Sequence, residues 1–94
     1  MQIEELAKMN FKNTIDIRSC ESYNQGSIPN SKNITKEVLL LTPEKYLNKS
    51  KKYYIYCSFG EKSKKVCREL NELGYNTINI IGGYNSYKKY SKTV

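Results

Sequence analysis

The chain has 94 residues, a formal net charge of +7 and no histidine. Its length suits one small domain with a single core, so we predict one domain over residues 1–94. The lack of histidine excludes Cys-His proteases, Ser-His-Asp hydrolases and His-ligated metal sites. The longest aliphatic run, Val38–Leu41, is far shorter than a membrane span, so no membrane association is expected.

Helix and strand signals alternate along the chain, and Gly and Pro lie between them. The predicted elements are, in order, a helix at Glu4–Met9, a strand at Thr14–Arg18, a helix at Cys20–Gln25, a strand around Lys32–Ile34, a helix from Thr42 to Asn48, a strand at Lys52–Cys57, a helix at about Lys62–Leu73 and a strand at Thr77–Ile80. Lys88–Val94 is expected to fray. A helix after each main strand predicts a small α/β sandwich, with a central parallel sheet of 4–5 strands and helices on both faces.

The three cysteines, Cys20, Cys57 and Cys67, are odd in number and show no C-x-x-C spacing. This pattern disfavours a disulfide framework or a zinc cage, so neither a metal nor a cofactor is predicted. A reducing cytoplasm is the simplest location. The positive charge suits anionic ligands in general, but no nucleic-acid recognition motif accompanies it, and nucleic acid is not an expected partner.

The segment Tyr53–Ser63 is an apolar strand that ends on a cysteine and opens through a glycine loop into a helix. Ligand sites of parallel sheets lie beyond the carboxyl ends of the strands, where Cys57 stands, and Arg18 ends another strand. Without histidine, backbone N–H groups and the helix N-terminus must activate Cys57. The candidate site is Cys57 with the loop Ser58, Phe59, Gly60, Glu61, Lys62 and Ser63. The alternative is that Cys57 is only a small buried residue.

Two ordered signatures resemble the rhodanese-like domain family, over about residues 3 to 90. The segments that resemble it are Tyr56–Ser63, Leu70–Tyr75 and Ile81–Tyr84 in the active-site half, and Asp16–Ser19 with Glu21–Ile34 in the first half. The resemblance implies a rhodanese-like three-layer sandwich whose first strand is short or missing here. Ser27 and Asn30 depart from the family's histidine and glycine; we expect both to shape a turn, since Asn tolerates left-handed backbone.

The resemblance also implies a sulfurtransferase. The Cys57 thiolate would take a sulfane sulfur from a small anionic donor such as thiosulfate, hold it as a persulfide, and pass it to cyanide or to the thiol of a small molecule or protein. Lys62 stands where many family members carry arginine, and it would attract the donor as a point charge without a bidentate fork. The identity of the donor is therefore left open.

Two other functions are weighed against sulfur transfer. A phosphatase or arsenate reductase on the same fold needs an arginine at the seventh position counted from the cysteine, which is Ser63 here. Tyr56 also stands where those enzymes usually carry histidine. A rhodanese-like interaction module without activity is disfavoured because such members commonly lack the cysteine, whereas Cys57 is present with Gly60.

Four further residues are candidates for supporting roles. Asp16, two residues before Arg18 on one strand face, is predicted to be structural. Arg18 could pair with an acid such as Glu21 or assist an anionic substrate. Cys67 is predicted to lie in the core, while Cys20 could resolve or accept sulfur, although a plain loop role is preferred.

Overall fold

The computed structural model describes all 94 residues and has strands and helices in alternation. The strands are β1 (Thr14–Asp16), β2 (Lys32–Asn33), β3 (Lys52–Tyr56) and β4 (Asn76–Asn79). The helices are α1 (Ile3–Lys8), α2 (Cys20–Gln25), α3 (Lys36–Leu41), α4 (Glu61–Glu72) and α5 (Gly83–Thr93). None of the helices is both long enough and apolar enough to cross a lipid bilayer.

The four strands form one sheet in the order β2-β1-β3-β4, and every neighbouring pair is parallel. This confirms the predicted parallel sheet. The two central strands, β1 and β3, are in register from Thr14 opposite Tyr54 to Asp16 opposite Tyr56. Their carboxyl ends therefore lie side by side, and the residues that follow them face the same edge of the sheet.

Side chains from the two faces of the sheet form two separate cores, because successive residues of a strand point to opposite faces. Ile55 packs with apolar residues of α3 and α4. Tyr54 and Tyr56 pack on the opposite face with apolar residues of α1 and with tyrosines of α5. The prediction of helices on both faces is confirmed.

The segment before β3 differs from the prediction. The expected helix from Thr42 to Asn48 is wrong: Pro43–Lys45 forms only one 3-10 turn, and the preceding residues Lys36–Leu41 form α3 instead. A residue that precedes proline is disfavoured in helical conformation, and Thr42 accordingly has φ −138° and ψ 63°. α3 was missed because the run Val38–Leu41 shows no helical periodicity, and only Leu39 of this helix is buried.

The C-terminal residues Lys88–Val94, expected to fray, belong to the helix α5 as far as Thr93. Tyr84, Tyr87 and Tyr90 recur every three residues and pack against the core beneath α1. The centre of the Tyr87 ring lies 5.9 Å from the centre of the Phe11 ring, in an edge-on arrangement, and 6.0 Å from the centre of the Tyr84 ring. Aromatic pairs of this kind stabilise beyond their buried area. The three-residue spacing of the tyrosines is therefore a helix signal in the sequence, which the prediction of a frayed end overlooks.

No strand precedes α1, but Met1 takes one place beside β4. Its amine donates a hydrogen bond to the carbonyl oxygen of Asn79 at 2.7 Å, and Ile81 donates its N–H to the carbonyl of Met1 at 2.9 Å. A single residue thus continues the sheet next to the end of β4, close to the loop that carries Cys57.

Candidate active site

Cys57 directly follows β3 and lies at the floor of a cavity of about 600 Å³. Only 4% of the residue is exposed, so the sulfur is reached through the cavity and not from the open surface. The cavity is bounded by the segment after β1, by the start of α3 and by the loop that leads into α4. This position agrees with the general rule that sites lie beyond the carboxyl ends of parallel strands.

Backbone N–H groups and one hydroxyl group surround the sulfur of Cys57. The backbone N–H groups of Gly60 and Ser63 donate to Sγ at 3.1 and 3.3 Å, and the Ser63 hydroxyl lies 3.2 Å from it. Burial alone would raise the pKa of Cys57, but the hydrogen bonds from Ser63, Gly60 and Phe59 outweigh it and lower the pKa below that of an ordinary thiol. The thiolate is therefore stabilised without a neighbouring base.

The residues of the predicted loop divide into two groups. Ser58, Phe59, Glu61 and Lys62 line the cavity, whereas Gly60 and Ser63 are buried behind the sulfur. The N–H groups of Glu61 and Lys62, in the first turn of α4, donate to no acceptor in the protein. A helix N-terminus with free N–H groups favours a negative charge, so this side of the cavity can hold an anion.

The loop rests on the beginning of α5. Tyr84 and Asn85 donate their N–H groups to the carbonyls of Cys57 and Ser58, at 2.9 and 3.0 Å. This contact requires a glycine at position 83, because a Cβ there would lie 2.1 Å from the carbonyl oxygen of Cys57. Gly83 also has φ 55°, in the left-handed region. The glycine pair at the start of α5 thus fixes the backbone that carries the sulfur.

We expect Gly83→Ala to displace this loop, to lower the free energy of unfolding by about 1–3 kcal/mol and to reduce the reactivity of Cys57. Chemical denaturation and the rate of Cys57 alkylation measure the two effects. Gly74→Ala is the matched control, because Gly74 has φ 97° but a Cβ there would meet only the flexible side chain of Lys49, at 3.5 Å. Equal losses in the two variants would contradict the close-approach argument.

Arg18 and Asp16 form a buried ion pair beside the cavity. Asp16 is fully buried and accepts hydrogen bonds from the Arg18 backbone N–H at 2.8 Å, from Nε at 3.1 Å and from Nη2 at 2.7 Å. Nη2 also donates to the carbonyl of Gly26, and the guanidinium lies 4.2 Å from the centre of the Tyr84 ring. Arg18 therefore pairs with Asp16 and not with Glu21, although it still lines the cavity.

The other two cysteines lie away from the sulfur site. Cys20 is the exposed first residue of α2, where its sulfur accepts a hydrogen bond from Asn24, and it does not line the cavity. Cys67 is buried in the core on α4, and burial raises the pKa of its thiol. All three thiols are unpaired, and no group of three or more His, Cys, Asp or Glu side chains is arranged to hold a metal ion.

Asn79 is a polar residue of the site that the sequence reasoning missed. It ends β4, next to β3, and its side-chain amide lies between two residues of the loop. Nδ2 donates to the carbonyl of Gly60 at 3.2 Å, and Oδ1 contacts the hydroxyl of Ser63. The signal was available, because a polar residue at the carboxyl end of a strand beside β3 falls under the rule that singled out Arg18.

Comparison with known proteins identifies relatives over most of the chain. The family model for the rhodanese-like domain matches residues 2–90. The Bacillus subtilis protein named "Putative sulfurtransferase YtwF" is 35% identical over 80 residues, which is 83% of this chain and 75% of that protein. The adenylyltransferase and sulfurtransferase uba4 of Ogataea parapolymorpha is 28% identical over 90 residues, and this chain spans 23% of its length.

Solved structures agree with the sequence comparison. A rhodanese-like domain protein from Staphylococcus aureus matches 93% of this chain and 88% of its own, with a TM-score of 0.84 and 28% identity. A rhodanese-related protein from Thermoplasma volcanium matches 96% of this chain and 90% of its own, with a TM-score of 0.84 and 30% identity.

Proposed function

Because the chain belongs to the rhodanese-like domain family and is related to sulfurtransferases, we propose that it transfers a sulfane sulfur as a persulfide on Cys57. The observation that supports this most directly is the pair of backbone N–H groups, from Gly60 and Ser63, that hold the sulfur at the floor of the cavity. Such donors stabilise an anionic nucleophile without proton transfer to a base. The reaction requires no cofactor.

The first half-reaction loads the enzyme. The Cys57 thiolate attacks the outer sulfur of thiosulfate, a new S–S bond forms, and the S–S bond of the donor breaks to release sulfite with the electron pair. The charge of the thiolate then resides on the terminal sulfur of the persulfide. Glu61 and Lys62, whose N–H groups are free, are among the residues that line the cavity into which that sulfur would project, and a helix N-terminus of this kind is suited to bind its charge.

The second half-reaction unloads it. Cyanide, or the thiolate of a small molecule or protein, attacks the terminal sulfur, and the S–S bond to Cys57 breaks. With cyanide the products are thiocyanate and the original thiolate, so atoms and charge balance over the cycle. An unpaired Cys57 is required at each turn, which suits a reducing compartment such as the cytoplasm.

The geometry disfavours a phosphatase. Ser63, which stands where such enzymes need an arginine, is fully buried and turned toward Cys57 and Asn79. It therefore cannot provide a bidentate clamp for a phosphate in the cavity. An interaction module without activity remains the alternative that experiment must separate.

The direct test is a sulfur-transfer assay of the purified chain, from thiosulfate to cyanide, with intact-mass measurement after the donor alone. We expect thiocyanate formation and a gain of one sulfur atom, which peptide mapping places on Cys57. A protein whose Cys57 reacts with an alkylating agent but that gains no sulfur from thiosulfate, 3-mercaptopyruvate or a low-molecular-weight persulfide would be an interaction module.

The role of Lys62 is tested with the same assay. We expect Lys62→Ala to lower kcat/KM for thiosulfate about two- to fivefold, because an exposed charge contributes little in water. Lys62→Arg should preserve or raise it, because a guanidinium binds oxyanions through two parallel hydrogen bonds. Lys64→Ala is the control, since Lys64 is on the same helix but does not line the cavity. Equal losses for Lys62→Ala and Lys64→Ala would assign the effect to overall charge.

A further inference from the structure

The hydroxyl of Ser63 has one proton and three neighbours that could receive it. Its oxygen lies within hydrogen-bonding distance of Asn79 Oδ1, of the carbonyl of Gly60 at 3.3 Å and of Cys57 Sγ at 3.2 Å. Ser63 is fully buried. The distribution of this single proton is therefore decided by the protein groups around it.

The orientation of the Asn79 amide follows from its other contact. One end of the amide lies 3.2 Å from the carbonyl oxygen of Gly60, which can only accept a hydrogen bond, so that end must be the NH₂ group. The other end, Oδ1, then faces Ser63 and can only accept. The contact between Ser63 and Asn79 exists as a hydrogen bond only if the Ser63 hydroxyl donates its proton to Asn79.

A hydroxyl that donates to Asn79 cannot also donate to Cys57. When Cys57 is a neutral thiol, this causes no conflict, because the S–H group can donate to the Ser63 oxygen. When Cys57 is a thiolate, the lone pairs of the Ser63 oxygen would face a negative charge unless the proton turns from Asn79 to the sulfur. Stabilisation of the thiolate by Ser63 therefore costs the bond to Asn79.

We propose that Asn79 is a positioning residue that competes with Cys57 for the Ser63 proton, holding it while the Cys57 sulfur is uncharged and releasing it when the sulfur is a thiolate. The proposal rests on the proposed function only in taking Cys57 as the reactive thiol. In the persulfide, the charge has moved from Sγ to the terminal sulfur, so the proton returns to Asn79. The contact thus stabilises the thiol and the loaded enzyme relative to the thiolate.

Substitution at Asn79 leaves the existing charged and titratable groups near Cys57 unchanged. Those that line the cavity are Arg18, paired with Asp16, and the side chains of Lys36, Glu37, Glu61 and Lys62. The amine of Met1 lies against the backbone of Asn79, and the thiol of Cys67 packs in the same core as Cys57. A change at the Asn79 side chain leaves each of these groups in place.

The test is the pH dependence of Cys57 alkylation by iodoacetamide, followed by peptide mass mapping so that Cys20 and Cys67 are counted separately. Asn79→Leu is expected to lower the midpoint by about half to one pH unit, which is a three- to tenfold gain in thiolate fraction below the midpoint. In a Ser63→Ala background the same change should shift the midpoint by less than about 0.3 unit. The comparison between the two backgrounds also removes the effect of losing the hydrogen bond from Asn79 to Gly60, because that bond is lost in both.

Asn79→Asp supplies a second variant with the opposite expectation. A carboxylate retains the acceptor that faces Ser63 and binds the proton more strongly, and its own negative charge also opposes the thiolate, so the midpoint should rise. The rise should be larger than in the Ser63→Ala background, where only the charge acts. If the substitutions only loosened the loop, the midpoint would shift in the same direction in Asn79→Leu and Asn79→Asp. An unchanged or raised midpoint in Asn79→Leu, an equal shift in the Ser63→Ala background, or a lowered midpoint in Asn79→Asp would each overturn the proposal.

Discussion

Replacement of Cys57 with serine is expected to abolish sulfur transfer, with a loss of at least about a thousandfold in kcat/KM. Serine fits the same place and can accept hydrogen bonds from Gly60 and Ser63, so the fold should be preserved. Its hydroxyl cannot react, because no histidine or other base lies beside it to take the proton. Thiocyanate formation and the mass gained from thiosulfate are the two measurements.

Cys20→Ser is the matched control, because Cys20 is exposed and does not line the cavity. It should retain full activity and still gain one sulfur on Cys57. Full activity in Cys57→Ser would overturn the persulfide mechanism. Loss of turnover in Cys20→Ser, with loading of Cys57 intact, would instead assign Cys20 a part in passing the sulfur onward.

Asp16→Asn should have the largest effect on stability, a loss of about 3–5 kcal/mol in the free energy of unfolding. Asp16 is fully buried, and the Arg18 side chain is only 8% exposed. Removal of the negative charge leaves the guanidinium buried without its counter-ion, and the asparagine NH₂ group would face one of the Arg18 donors. Urea denaturation followed by circular dichroism measures the loss.

Glu44→Gln is a control for the loss of one carboxylate, because Glu44 is exposed and forms no ion pair. It should change stability by less than about 0.5 kcal/mol. Replacing both partners, Asp16→Leu with Arg18→Met, should recover much of the loss, since neither charge is then left buried alone. A loss below about 1 kcal/mol in Asp16→Asn would mean that the pair is not buried in solution as the structure describes.

The fold was predictable wherever local signals and the parallel sheet agreed. Residue pattern and turn chemistry predict the sequence of strands along the chain and the position of Cys57 after β3. They also predict the left-handed backbone at Asn30, which has φ 64°. α3 was missed because its sequence shows no helical periodicity, and the burial of the tyrosine face of α5 depends on contacts distant in sequence. Tyr87 of α5, for example, packs on Phe11, which no local pattern relates to it.

The site was predictable as a segment but not as an arrangement. The loop after Cys57 follows from the strand, glycine and helix pattern, but the sequence does not distinguish the residues that line the cavity from those behind the sulfur. Ser63 faces Asn79 only because β4 lies beside β3. Likewise, Gly83 approaches the carbonyl of Cys57 through tertiary packing. The resemblance to the family marks this glycine but does not give the physical reason for it.

The burial of Cys57 has a consequence for recognition. Without a transferred sulfur, Cys57 forms part of the floor of the cavity, and 4% of the residue is exposed. In the persulfide, an S–S bond of about 2 Å would place the transferred sulfur atom in the cavity. An acceptor in this cavity, which the 70% exposed residue Phe59 also lines, would therefore have more sulfur to contact while Cys57 carries the transferred atom than after that atom has left. Transfer of the sulfur atom would remove the contact that had bound the acceptor, so transfer would favour dissociation of the acceptor.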